Sequence, residues 1–206
     1  MTPGAHNLAT PLTVPTASDA ARRPPAPGEL ELVRQFVNTF DVEANWEAFS
    51  SPAALSAWMA ERGLLSVGRR LTDRDLADAR ALREALRDVL AAHAGHASGP
   101  EAHQRLDRIV AGYPLRMRLN GGPRLDGDGG KGITPAVARL LGTVYEAMTL
   151  GTWERLKVCR NDECAWAFYD HSRNHSGAWC TMAVCGNRIK GRAFRKRHGG
   201  ATRAAG

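Results

Sequence analysis

All four cysteines of this 206-residue chain lie between Cys159 and Cys185. They form two pairs, Cys159/Cys164 and Cys180/Cys185, with four residues inside each pair and fifteen between the pairs. Each short pair makes a turn with both sulfurs on one side, and the spacer lets the two turns meet around one ion. Zinc takes four ligands in a tetrahedron, and a structural site fills all four positions with protein atoms. One structural Zn2+ held by Cys159, Cys164, Cys180 and Cys185 is therefore the expected chemistry. Two disulfides are a second reading of the same pairs and need an oxidising compartment. Four unrelated buried thiols are a third, but chance rarely gathers every cysteine into one stretch. His171 and His175 are nearby ligand candidates that four thiolates make unnecessary.

Charge follows the last cysteine at once. Residues 186–206 carry Arg188, Lys190, Arg192, Arg195, Lys196, Arg197 and Arg203 and no acid. Those cations account for the whole formal net charge of +7, so the rest of the chain is balanced. A local cationic element beside a zinc knuckle is an electrostatic footprint for phosphate. Arg188, Lys190, Arg192, Arg195, Lys196 and Arg197 are the candidate nucleic-acid contacts. A solvated basic tail is the plainer alternative. Arg188 has two readings: a bidentate guanine contact, or a structural bridge from the knuckle to Asp170, which its closeness to the metal favours.

The stretch W-C-x-M-x-x-C-G-N-R-x-K, Trp179 to Lys190, resembles the signature of the CGNR zinc finger family. Phe168, Asp170, Ser172, Arg173 and Asn174 match the F-x-D-x-S-R-N segment common upstream of it. The resemblance implies a zinc-binding C-terminal module presumed to bind DNA, on bacterial proteins proposed as stress-related transcription regulators. Asp170, Ser172, Arg173 and Asn187 are then candidates for stabilising the finger. The family often carries two arginines before W-C; here Gly177 and Ala178 stand there. Further upstream, Phe36-Val37-Asn38-Thr39 and Leu82 to Arg87 (L-R-E-A-L-R) resemble segments of the ABATE domain, the all-helical partner of such fingers. Asn38 and Thr39 either satisfy backbone groups near a helix end or serve as a ligand or switch site.

Periodicity supplies the elements that must carry this module. Glu29 to Phe40 has an apolar stripe of Val33, Phe36, Val37 and Phe40. Pro52 to Arg62 is capped by Ser51. Thr72 and Asp75 are spaced as a capping box, opening a long helix with Leu76, Ala79, Leu82, Leu86, Val89 and Leu90 on one face. Its Arg80, Arg83 and Arg87 are expected to form surface pairs with Glu84 and Asp88. Pro100 to Gly112 is a further helix. Leu115 to Leu119 alternates as a strand, with a return at Arg124-Leu125. Thr134 is expected to cap, and Pro135 to start, a helix that Gly151 ends. In the finger we expect a strand at Trp166 to Tyr169 and a helix from near Met182 or Cys185 to about Arg197.

The expected architecture is mainly α with a small β-hairpin. A disordered Pro-rich tail covers 1–28, an ABATE-like helical domain 29–152, a treble-clef-like or ribbon-like finger 153–198 and a flexible tail 199–206. No Pro/Gly/Ser linker separates domain from finger, so the finger is expected to pack on the helices. Even so, Cys164→Ser is expected to unfold the finger while leaving the helical signal largely intact. No long apolar run or secretory leader is seen, so a cytoplasmic, reducing location is expected, with no membrane partner. Asp126 to Lys131 lacks the ligands of an EF-hand and the pattern of a P-loop. A closed four-thiolate site leaves no open metal position, and no catalytic motif appears, so no enzyme is expected. The expected function is zinc-dependent DNA binding in transcription regulation, with a ligand- or stress-sensing N-terminal domain, a small-molecule effector and a homodimer as further expectations. An acidic protein partner, RNA and nonspecific nucleic-acid binding are the alternatives. For stacking bases, the finger offers Trp166, Phe168, Tyr169 and Trp179, which serve equally as its core.

Overall fold

The computed structural model describes residues 24–96, 100–113, 115–120, 124–127 and 130–198. Its elements are mainly helical, with three small antiparallel hairpins among the described residues. The order is α1 (Leu30–Val37), β1 (Phe40–Asp41), β2 (Trp46–Glu47), α2 (Pro52–Glu61), α3 (Asp73–His93) and α4 (Glu101–Val110). Then follow β3 (Leu115–Arg118), β4 (Arg124–Gly127), α5 (Thr134–Thr149), β5 (Leu156–Val158), β6 (Ala167–Tyr169) and α6 (Asn187–His198). No helix among the described residues is long and apolar enough to cross a membrane.

Helix α3 is the axis. Its 21 residues give a length of about 31 Å. Thr72 and Asp75 form the capping box: Thr72 Oγ1 accepts from the Asp75 N–H at 3.2 Å, and Asp75 Oδ2 accepts from the Thr72 N–H at 2.8 Å. The second Asp75 oxygen accepts from the Ile133 N–H at 3.0 Å, tying the start of α5 to the start of α3. Thr134 is thus the first residue of α5 rather than its cap; Ile133 holds the cap position, without a side-chain bond of its own. Leu76, Ala79, Leu82, Leu86, Val89 and Leu90 are buried as the periodicity predicts.

The core gathers these faces. Phe36, Phe49 and Trp58 form an aromatic trio with ring centroids 5.4 to 6.0 Å apart. Leu156, Val158, Ala167 and Tyr169, all from β5 and β6, are buried in that same core. A second, smaller cluster holds the four cysteines with Phe168, and Trp166, Trp179 and Val184 pack on it. The aromatics considered for stacking bases are therefore largely core: Phe168 and Tyr169 are buried, Trp166 and Trp179 half-buried.

Three further local expectations need correction. Helix α1 stops at Val37, not Phe40, because Asn38 leaves helical geometry to reach the finger; Phe40–Asp41 instead pairs with Trp46–Glu47 around a turn with Asn45 at φ 49°. Arg83 and Arg87 are buried, not on a solvated flank. Arg83 makes a fork to Glu47 at 2.6 and 2.8 Å and reaches Glu84 at 2.7 Å. Finally, the tail expected through residue 28 is docked from Pro24 on: Ala26 is buried, its N–H donates to Glu31 at 2.8 Å, and His171 Nε2 lies 3.1 Å from the Pro25 carbonyl. The rest of that tail, most of the glycine turn after β3 and the tail 199–206 lie outside the described residues.

Candidate metal centre and its basic helix

The first cysteine pair closes a tight turn. The N–H groups of Cys164 and Ala165 both donate to the Asn161 carbonyl, at 2.8 and 3.0 Å, with Ala165 at φ 46°. The Cys159 N–H donates to the Trp166 carbonyl at 2.9 Å and anchors that turn to the β5–β6 hairpin. The second pair opens a helix. Thr181 Oγ1 accepts from the Val184 N–H at 3.2 Å, and Met182–Gly186 form one wide π-helical turn that leads into α6.

The four sulfurs lie within 4.8 Å of one another and all four cysteines are buried. Cys164 to Cys180 is 3.7 Å and Cys180 to Cys185 is 3.6 Å. Zn–S bonds of ~2.3 Å place tetrahedral sulfurs about 3.8 Å apart, whereas a disulfide needs ~2.05 Å. The set fits one structural zinc ion and leaves no bonded disulfide pair. Hydrogen bonding to Cys159 pushes the Cys164 and Cys180 thiols up, and burial pushes Cys185 up. A bound dication reverses that cost, since zinc deprotonates the thiols it ligates. Asn161, buried inside the first turn, directs its Nδ2 toward Cys185 Sγ at 3.9 Å and so supports the sulfur from outside.

The C-G-N-R letters each have a physical task. Gly186 is buried, and a Cβ there would collide with the Met182 sulfur and crowd Trp179. Asn187 Nδ2 donates to the Ala183 carbonyl at 3.1 Å, satisfying a carbonyl of the π turn. Arg188 donates to Glu43 at 2.6 Å, from the turn between β1 and β2. It does not bridge to Asp170. That acid is fully buried and accepts from Lys157 Nζ at 2.9 Å, the Ser172 N–H at 3.0 Å and the Gly177 N–H at 2.7 Å. Burial alone would raise its pKa; the ammonium and the N–H donors outweigh it and hold the carboxyl below its usual range. A Cβ at Gly177 would sit 2.6 Å from Asp170 Oδ1. The glycine that departs from the arginine pair is the one that lets the loop close on Asp170. Ser172 Oγ accepts from the Ser176 N–H at 3.1 Å in this loop, and Arg173 is exposed.

The helical domain grips the finger by its backbone. Asn38 donates to the Ala167 carbonyl at 2.9 Å and accepts the Ala167 N–H at 2.7 Å, as a neighbouring strand would. Thr39 Oγ1 donates to the Phe36 carbonyl at 2.8 Å and accepts from Arg83 at 3.3 Å. Both residues are buried, and their hydrogen bonds go to backbone and to Arg83. Arg87 reaches the Ala165 carbonyl at 3.1 Å and the Val37 and Phe40 carbonyls at 2.7 and 3.0 Å. At the end of α3, Arg160 donates to the Ala94 carbonyl, and His93 Nδ1 lies 2.9 Å from the Leu156 carbonyl. A cation on the last carbonyls also suits the helix dipole. Glu43, Glu47, Lys157, Arg160 and Asn161 are partners that sequence reading missed. Only Asn161 carried a signal, by standing inside a ligand pair.

Helix α6 packs mainly on the π turn before it. Arg188 is held by Glu43, and Arg192 by Glu163 at 2.5 Å. Lys190, Arg195 and Lys196 are exposed and have no acid partner among the described residues; Arg197 lies on the same helix. Elsewhere, a groove of about 740 Å3 runs between α5 and the β3–β4 hairpin, lined by Met117, Leu125, Tyr145 and Leu150 with Glu29 and Arg139 at hand.

A helical body with a four-cysteine site clamped to its helix ends defines a zinc-finger protein. Residues 30–149, more than half of the chain, match the ABATE family, described as "putative stress-induced transcription regulator", and residues 155–198 match the CGNR zinc finger. The chain belongs to the ABATE family and carries a CGNR zinc finger after that domain. No curated protein matches it.

Proposed function

We propose that this protein is a DNA-binding transcription regulator whose zinc centre holds α6 out as the contact helix. The observation that carries the proposal is that Lys190, Arg195 and Lys196 lie exposed without acid partners among the described residues, on a helix that projects from the zinc turn. No catalytic role belongs to this reading. It includes a reducing, cytoplasmic setting, which keeps the thiolates available for zinc. It also includes a homodimer, because one finger reads few base pairs, and a small effector for the helical domain, with the groove beside α5 as the place to look. An acidic protein partner is the second reading, favoured by the carboxylates that already sit on Arg188 and Arg192.

Two measurements separate these readings. Truncation after Arg188 should remove most duplex affinity, about tenfold or more at moderate salt, while zinc stays bound at one ion per chain. Unchanged binding in a filter or anisotropy assay would remove α6 from the interface. Glu43→Gln should raise duplex affinity about threefold at low salt and less at high salt, because it frees Arg188 for phosphate. A loss of affinity would show that the Arg188–Glu43 pair positions α6 rather than shields it. Selection from a randomised duplex pool then decides specificity: enrichment of a palindrome supports the dimer, and binding of acidic protein but no duplex supports the second reading.

A further inference from the structure

The cations of α6 do not all face the same surroundings. Arg188 and Arg192, one turn apart, are both engaged by the chain's own acids. Lys190, Phe194 and His198 follow at i, i+4 and i+8 and share a different face. All three are exposed. Phe194 is 56% exposed and lies outside both apolar clusters, so the fold does not use its ring. The ring nonetheless has a neighbour on its own helix. His198 stacks on it with centroids 4.2 Å apart and planes 24° from parallel, and His198 Nδ1 lies 3.0 Å from the Phe194 carbonyl.

We infer that Phe194 is the base-reading residue of α6, its ring set against the 5-methyl group of a thymine in the major groove of duplex DNA. This rests on the DNA-binding reading above and adds which residue reads which chemical group. The thymine methyl is the apolar feature of the major-groove edge, and aromatic and small apolar side chains are its contacts. An α-helix about 10–12 Å across with its side chains fits a major groove ~12 Å wide. Lys190, one turn before Phe194, takes a flanking phosphate. His198, one turn after, holds the ring edge toward the base and keeps the Nε2 side of its own ring for a polar group. Arg188 and Arg192 stay with Glu43 and Glu163 and are not among the contacts of this face.

The test uses zinc-loaded full-length protein and three probes: a 20-base-pair dA·dT duplex, the same duplex with every dT replaced by dU, and a single strand of dT. Wild-type protein should bind the methyl-free duplex about threefold more weakly than the dA·dT duplex. Phe194→Ala should bind both duplexes equally, and Phe194→Leu should recover part of the preference. The salt dependence should be the same for all three proteins, because no phosphate contact is removed. Equal binding of the two duplexes by wild type, or tighter binding of the single strand, would overturn the inference and leave DNA binding itself intact. Failure to bind any of the three probes would overturn the DNA-binding reading as well. Zinc content and far-UV circular dichroism of the exposed-site variants should match wild type, which separates contact from folding.

Discussion

Cys164→Ser should abolish stoichiometric zinc binding and lower the thermal midpoint of the whole chain, helices included. Structural zinc contributes about 10–16 kcal/mol of apparent binding energy in small finger domains, against about 5–15 kcal/mol of total stability for a typical domain. The effect spreads because Cys164 is followed directly by Ala165 and Ala167, whose backbone groups are bonded to Arg87 and Asn38. Without the ion those strands lose one of their two anchors. Leu156, Val158, Ala167 and Tyr169 then leave the core that α1 and α3 share with them. We therefore expect a single lowered transition, followed at 222 nm, and a similar drop on chelation of the wild-type protein. A helical signal that melts at the wild-type temperature after zinc loss would show that the clamp does not couple the two parts. Sequence alone led to that opposite expectation, since periodicity locates strands but not the core they enter.

Asn38→Ala should cost about 2–5 kcal/mol, because it strands both the N–H and the C=O of Ala167 in a buried place. The loss should appear as a lower denaturant midpoint with zinc still bound at one ion per chain, since Asn38 touches no cysteine. Asn38→Asp keeps the acceptor but loses the donor and buries a charge, so it should be no better than alanine. Hydrogen exchange at Ala167 gives a local readout: Asn38→Asp keeps an acceptor for its amide, whereas in Asn38→Ala that amide should lose protection. Retained protection would mean that the β5–β6 hairpin holds without the helical domain.

The long helices were legible because burial repeats at helical spacing, as Leu76 through Leu90 show. The metal set was legible because cysteine is rare and its chemistry strict. Hidden were the partners of charge. Arg83 and Arg87 read as surface cations by spacing, and only the hairpin at Phe40–Asp41 and Trp46–Glu47 brings Glu47 to Arg83 and the Phe40 carbonyl to Arg87. Two-residue strands leave no periodic trace, so that hairpin could not be seen. The F-V-N-T letters were visible as an oddity, a polar pair after an apolar one. Their task became plain only once Ala167 stood 129 positions away and 2.9 Å off. Phe194 carries no signal in the sequence, because a phenylalanine in a basic run does not show whether it is buried; on α6 it is exposed.

The seating of the finger on the ends of α1 and α3 bears on how this module travels. A finger with a closed core of its own can be cut out and grafted as a cassette. Here the excised stretch would carry Leu156, Val158 and Tyr169 as a bare apolar edge and would lack the amide of Asn38 and the guanidinium of Arg87. Domain and finger thus share one core in this chain, each shaped to the other's seam. A new binding preference is more readily reached by changing side chains on α6 than by exchanging the finger for a relative's.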